Sequence, residues 1–303
     1  MKKSFYSNGK LLITGEYLVL DGAKALALPT KYGQHLVVEN GTNNEIQWKS
    51  IDFDGSIWFE EIISFEAIVN KNSFKADTIK STLIAILHQT FILQPDFINH
   101  SKGYVVTTQL TFPKFWGLGT SSTLINNIAQ WTGVDAYALL KNSFGGSGYD
   151  IACAQNNSPI VYHLDHGKPI VEQVDFDPAF KENLFFVYLN KKQNSRTAIA
   201  SYYENENNLS HAIAYINDST TATLHAKTAA IFSSQLEKHE SFMSIILEKK
   251  TVKEMLFPDF NGVIKSLGAW GGDFVLVVSE INPSTYFKEK GYENILSYDE
   301  MIL

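Results

Sequence analysis

The chain contains one cysteine, one arginine and eight prolines, and nowhere does it carry a long apolar run. A single thiol, Cys153, excludes an intrachain disulfide and fits a reducing compartment. Its neighbours Ile151, Ala152 and Ala154 are small and apolar, so packing is expected of it rather than nucleophilic chemistry. With Arg196 as the sole arginine, a phosphate clamp of several arginines is impossible, and lysines lack the bidentate fork. The first apolar stretch, Leu11–Ile13, is too short for a signal peptide, and no span reaches transmembrane length. A cytoplasmic protein without a membrane partner is therefore expected. A net charge of −7 and the lack of a dense basic run argue against a nucleic-acid partner. Lys191-Lys192 and Glu248-Lys249-Lys250 read as solvated faces. Three motifs are missing as well. There is no G-x-x-x-x-G-K-[ST] loop, no G-x-S-x-G elbow, and no third ligand in register with His163 and His166 for zinc.

What is present is ordinary for a globular protein: 45% hydrophobic, 13% aromatic and 19% charged residues over a length of 303 that suits two cores. LLITGEYLVL and KALALPTKYGQHLVVEN are β-rich runs separated by Asp21-Gly22. EIQWKSIDFDGSIWFEE alternates around Asp54-Gly55, as a hairpin does. From residue 74 the period becomes helical, with Ile79, Leu83, Ile86, Leu87 and Thr90 on one face. GYVVTTQLTF and SPIVYHLDH read as strands, and GLGTSSTLINNIAQW as a glycine turn entering a helix. LFFVYLN has the pattern of a strand buried on both faces. A polar loop follows, leading into a helix that Ser195 or Thr197 would cap. Helical patterns cover about 209–238 and 240–256, and GAWGGDFVLVVSEI is a glycine loop entering a strand. Strands and helices mix without strict alternation, which predicts an α+β fold in two blocks, 1–174 and 175–303.

Four segments carry candidate chemistry. In Pro113-Lys114-Phe115-Trp116-Gly117-Leu118-Gly119-Thr120-Ser121-Ser122-Thr123 the glycines allow close backbone approach, and hydroxyls sit where a helix begins. Free N–H groups and the positive dipole end there make an anion site, and a hydroxyl there can ligate Mg²⁺. The plain alternative is a well-capped helix. Asn8-Gly9-Lys10 through Gly15-Glu16-Tyr17 places a lysine at the start of an apolar strand, with a carboxylate six positions on. An exposed lysine is the plain alternative there. Lys265 to Asp273 reads as a glycine loop before a strand. In Gly145-Gly146-Ser147-Gly148-Tyr149-Asp150 one acid separates a flexible loop from a small apolar run. Alone, it would be a helix cap.

Taken together and in this order, the four segments resemble the GHMP small-molecule kinase superfamily, most closely its mevalonate and phosphomevalonate kinase branch. Asn8-Gly9-Lys10 and Gly15-Glu16-Tyr17 match the first motif, and Pro113 with Gly117-Leu118-Gly119-Thr120-Ser121-Ser122 matches the second. Ser147-Gly148-Tyr149-Asp150 matches the family's Ser-Gly-x-Asp. Lys265 with Gly268-Ala269-Trp270-Gly271-Gly272-Asp273 matches the third motif.

The resemblance implies an N-terminal domain like the second domain of ribosomal protein S5, a ferredoxin-like C-terminal domain, and an active site between them. It implies that Gly117, Leu118, Gly119, Thr120, Ser121 and Ser122 hold ATP phosphates and that Ser121 ligates Mg²⁺. Asp150 takes the place of the catalytic base, and Lys10 that of the lysine beside the accepting oxygen. Glu16, Tyr17, Ser147, Gly148, Gly271, Gly272 and Asp273 are implied acceptor contacts. The acceptor would be a small hydroxy acid or its phosphate, with Lys191, Lys192 and Arg196 as further candidates for contact. Two departures stand out: Asn8 replaces a proline, and Trp270 replaces a glycine of the third motif. Trp270 motivates one alternative, a catalytically silent binding homologue. A diphosphomevalonate decarboxylase-type enzyme is the other.

Overall fold

The computed structural model of the chain describes residues 2–70, 78–192, 202 and 209–303. Ser195, Arg196 and Thr197, expected at a helix start and as an acceptor contact, lie outside the described residues. In chain order the first elements are β1 (Lys2–Leu12), β2 (Ala25–Asn40), β3 (Glu45–Ile51), β4 (Ile57–Ser64) and helices α1 (Phe65–Asn70), α2 (Ile79–Leu93) and α3 (Asp96–Asn99). Next come β5 (Tyr104–Leu110), α4 (Thr120–Thr132), α5 (Ala136–Ser143), α6 (Tyr149–Gln155), β6 (Ile160–Asp165), β7 (Lys168–Gln173) and β8 (Leu184–Tyr188). The last are α7 (Leu209–Leu224), α8 (Ala229–Ile246), α9 (Val252–Leu256), β9 (Val263–Ser266), β10 (Phe274–Val278), α10 (Ser284–Glu289), β11 (Ile295–Ser297) and α11 (Tyr298–Met301). The class is α+β, as the unalternated order of elements predicts. The described chain forms two compact units, and neither is contiguous: the first comprises 1–9, 32–114 and 118–155, the second 10–31, 115–117 and 156–303.

In the first unit, Asp54-Gly55 lies in the β3–β4 turn, with Gly55 at φ 85° and its N–H donated to Asp52 O at 3.1 Å. β5 runs parallel to β3 and antiparallel to the end of β2, Gln34–Asn40. Trp48, Val106 and Leu36 on these strands form one core with Ile84 and Leu87 of α2, Ile125 and Ile128 of α4, and Leu139 of α5. Ile79, expected on the buried face of α2, is instead 53% exposed. It occupies the first position of the helix, just after the Thr78–Ser81 capping box, while Leu83, Ile84, Ile86, Leu87 and Thr90 carry the burial. A buried polar seam seats α4. Ser7 Oγ donates to Asn127 Oδ1 at 2.8 Å and accepts from Asn126 Nδ2 at 2.9 Å. Thr123 Oγ1 donates to Gln34 Oε1 at 2.8 Å, and Asn127 Nδ2 to Gln34 O at 2.9 Å. Satisfied networks of this kind rigidify a buried face and fix its register.

In the second unit, Ala25–Ala27 of β2 pairs with β6, and β6 turns into β7 through His166 (φ 49°) and Gly167 (φ 76°). His166 is thus a turn residue at a hairpin tip. A separate antiparallel sheet has the order β11-β8-β10-β9. Every residue of β8 and β10 is buried, which explains their unbroken apolar runs. Two expectations need correction here. Leu18–Asp21 is a short 3₁₀ turn rather than a strand, because the chain bends sharply at Tyr17 and buries Leu18 and Val19. The helical stretches divide at 225–228 and 247–251, where Thr228 and Thr251 cap new helices: each side chain accepts a first-turn N–H. Cys153 is fully buried, as its neighbours predict. No described helix is long and apolar enough to cross a membrane, and the described residues hold no cluster of metal-ligand side chains.

Candidate functional site

Three of the four motif segments meet in the second unit at Gly117. Lys10, in β1, donates from Nζ to the Gly117 carbonyl at 2.9 Å. Gly117 is left-handed at φ 71°, and a Cβ there would fall 2.5 Å from both carboxylate oxygens of Asp273. The positive φ and the acid overhead together favour glycine at this position. Asp273 is itself left-handed (φ 52°), held by its N–H to Lys191 O at 2.6 Å and by Leu189 N–H to its carbonyl at 2.8 Å. Tyr188 completes the cradle, donating to Phe115 O at 3.0 Å. Burial raises the Tyr188 pKa, and the Asp273 charge adds to the rise. Gly271 (φ 88°) and the buried Gly272 bring the chain to Asp273. Lys191 and Lys192 are exposed, with Lys192 Nζ 6.0 Å from the Phe115 ring centre.

The first unit holds Leu118–Ser122 of the second motif and the Ser147–Asp150 segment. Gly119 is the N-cap of α4, in left-handed conformation at φ 99°, and as a glycine it caps nothing with a side chain. Thr120 Oγ1 is buried without a hydrogen-bond partner among the described residues. Open first-turn N–H groups and an unused buried hydroxyl fit phosphate oxygens, and the neighbouring Ser121 hydroxyl suits a hard cation. Leu118 is fully buried, so its side chain packs. Ser122 Oγ donates back to Gly119 O at 2.9 Å, which leaves its hydroxyl to the helix and only its backbone toward a ligand. Ser147 stands between Gly146 (φ 107°) and Gly148 (φ 93°), and Gly148 O accepts the Ala152 N–H at 3.0 Å to start α6. Asp150, in the first turn of α6, accepts the Ile151 N–H on Oδ1 at 3.0 Å. That contact joins neighbouring residues inside the helix and is not the N-cap bond expected of a lone acid, because α6 starts one residue before Asp150. Helix α6 packs on α4 and is tied to it by Gln155 Nε2 donating to Asn126 Oδ1 at 2.9 Å. Beside Asp150 and Cys153, the pKa of Tyr137 is pushed up to about 12, chiefly by burial.

Glu16, Tyr17 and Trp270 lie elsewhere in the second unit. Glu16 is 1% exposed and ion-paired with Lys265, itself fully buried; Glu240 lies 3.3 Å from the same ammonium. Tyr17 occupies a γ-turn (φ 61°, ψ −53°) closed by Leu18 N–H to Glu16 O at 2.7 Å. Its ring stacks on Tyr202 at 5.6 Å, and its hydroxyl accepts the Trp270 N–H at 3.3 Å. Trp270 packs with Tyr17, Leu18, Ile216 and Met243 in a hydrophobic cluster. The Trp270 indole is therefore a core side chain. Sequence reasoning gave Glu240 and His239 no role, and a lone His-Glu pair on a helix carries no signal of one. Lys265 was legible as a motif residue, though not as a buried cation.

No family model matches the chain, and no curated protein matches it in sequence. Solved structures do. A phosphomevalonate kinase from Streptococcus pneumoniae, in complex with phosphomevalonate and AMPPNP, matches with a TM-score of 0.71 at 15% identity, covering 97% of this chain and 99% of that one. The mevalonate kinase of Methanococcus jannaschii matches at 0.70 and 17% identity, over 98% and 96% of the two chains. A Lactococcus lactis galactokinase complexed with galactose matches at 0.69 and 12% identity, over 95% and 88%. The chain has the fold of these mevalonate, phosphomevalonate and galactose kinases, as its four motifs implied.

Proposed function

We propose that this chain is an ATP- and Mg²⁺-dependent kinase that phosphorylates a small acid of the mevalonate pathway, with mevalonate ahead of phosphomevalonate as acceptor. The observation that carries the reading is the convergence of Lys10, Gly117 and Asp273, drawn from three motifs far apart in sequence. The contact puts a lysine ammonium beside the phosphate-loop glycine, where phosphoryl transfer needs positive charge. The low arginine content favours the unphosphorylated acceptor.

In this reading Gly117 to Ser122 hold the nucleotide phosphates through backbone N–H groups and the Thr120 hydroxyl, and Ser121 ligates the metal. Mg²⁺, when bound, neutralises charge on the transferring phosphoryl group. Lys10 supplies positive potential beside the accepting oxygen, and Asp150 takes the acceptor's proton. Ser147, Gly148, Gly271, Gly272 and Asp273 border the acceptor. Glu16 and Tyr17 act instead from the buried cluster, as supports. Burial of Trp270 in a hydrophobic cluster removes the steric motive for a silent homologue. The division into domains 1–174 and 175–303 and a cytoplasmic location belong to the same proposal. Incubation with MgATP and a panel of mevalonate, phosphomevalonate, diphosphomevalonate, homoserine and sugars tests it. ADP release with mevalonate or phosphomevalonate is expected. Silence with both removes the substrate assignment, CO₂ from diphosphomevalonate favours the decarboxylase, and silence across the panel removes the kinase.

A further inference from the structure

Glu16, Lys265, Glu240 and His239 are all buried and face one another. They join the Gly15–Tyr17 turn to the end of β9 and to α8. Lys265 Nζ donates to Glu16 Oε1 and to Ser266 O, and lies 3.3 Å from Glu240 Oε2. The Gly15 N–H donates to His239 Nε2 at 3.1 Å, so that nitrogen carries a lone pair and the ring is neutral. The titratable groups facing Glu16 are thus Lys265 from β9, His239 and Glu240 from α8, and Tyr17 beside it; α7 contributes the uncharged Thr220, bonded to Thr14.

Two carboxylates against one ammonium leave a buried excess negative charge, an expensive arrangement. One added proton removes it, and the hydrogen bonds indicate where it goes. Glu240 Oε1 already accepts both the Ser266 N–H at 3.1 Å and the Ser266 hydroxyl at 2.7 Å, and its Oε2, without a hydrogen bond of its own among the described residues, has the Lys265 ammonium at 3.3 Å. Glu16 Oε2 has no hydrogen-bond partner among the described residues and stands 3.4 Å from His239 Nε2. The Gly15 N–H already occupies that nitrogen's lone pair, so a charged Glu16 oxygen there would be buried without a donor, and a proton on Glu16 removes that cost. We propose that Glu16, Lys265, Glu240 and His239 form a clamp that keeps one proton on the Glu16 carboxyl at neutral pH and so holds the Gly15–Tyr17 turn. Desolvation pushes the Glu16 pKa up to about 7, with Lys265 opposing and Glu240 adding to the rise, while burial and Lys265 hold His239 well below its ordinary range. The four are positioning residues: through Tyr17 Oη and the Trp270 N–H, the clamp reaches the glycine loop that leads to Asp273.

Glu16→Gln keeps the size and neutrality of the protonated side chain. Urea unfolding across pH should give a ratio of folding constants, variant over wild type, that rises about tenfold per unit between about pH 4.5 and 7 and then levels. A ratio flat over that range overturns the proposal. Infrared difference spectra provide a second, independent reading. The wild type should show a protonated-carboxyl C=O band at neutral pH that is missing from Glu240→Gln, where Lys265 and Glu16 balance one to one. No such band in the wild type, or its persistence in Glu240→Gln, also overturns it. Neither measurement uses nucleotide or acceptor, so the result stands apart from the kinase reading.

Discussion

Asp150 holds the neighbouring Ile151 N–H and is also the candidate base, and one substitution separates the two roles. Asp150→Asn retains an oxygen for the Ile151 N–H but cannot take a proton, so the melting temperature should stay while kcat falls about 10²–10⁴-fold. Steady-state ADP release beside a thermal melt checks this; unchanged turnover would leave Asp150 only a local structural role. Gly117 permits a similar separation. Gly117→Ala forces a side chain to a positive φ and onto the Asp273 carboxylate, costing on the order of 1–3 kcal/mol and weakening nucleotide binding. In Gly117→Ala/Asp273→Ala the clash is gone and the backbone strain remains, so stability should recover only in part by urea titration. Gly117, Ser121 and Asp150 could be marked as candidates from the sequence because what marks them is local backbone: glycines that turn, hydroxyls at a helix start, an acid in a first turn. Glu16 was legible only as a conspicuous carboxylate. Its partner Lys265 lies 249 positions away, and no local pattern announces that pairing.

Among the elements, the strands and helices that formed as expected are those whose periodicity is decided by one buried face, such as α4 and the β3–β4 hairpin. The run after Tyr17 misled because Leu-Val-Leu is equally apolar in a strand and in a 3₁₀ turn packed on α7. Elements also determine what the buried cation supports. Lys265→Met removes the one cation that pairs with Glu16 and Glu240 among the described residues and should cost about 3–5 kcal/mol in urea unfolding. Trp270→Gly empties a packed cluster, and a loss of about 3–5 kcal/mol is expected by the same measurement. A Trp270→Gly protein as stable as wild type would show that the indole does not hold the cluster together.

Across the whole molecule, acid stability depends on shifts of opposite sign. Backbone and side-chain hydrogen bonds from Ser297 and Thr251 lower the pKa of Glu300 and Glu254 below 4.5. Stability from these caps is therefore present above about pH 4.5 and lost as pH falls through their folded values. Glu16 works the other way, because its folded pKa is raised. Its contribution is full below about pH 4.5 and lost as pH rises to about 7. Melting temperatures of Glu300→Gln should accordingly converge on wild type at low pH and fall short of it above pH 4.5. A constant gap would contradict the lowered pKa.

The sequence by itself determined the α+β class and the positions of the four motif segments, and it marked Gly117, Ser121 and Asp150 as candidate chemistry. These depend on local backbone freedom, hydroxyl chemistry and the period of apolar residues. Tertiary structure alone decided that Lys10 reaches the Gly117 carbonyl, that Asp273 covers Gly117, that Trp270 becomes core, and that Glu16 is buried against Lys265 with His239 and Glu240 alongside. Those outcomes turn on which distant side chain shares a buried, poorly solvated space, and neither composition nor spacing encodes that.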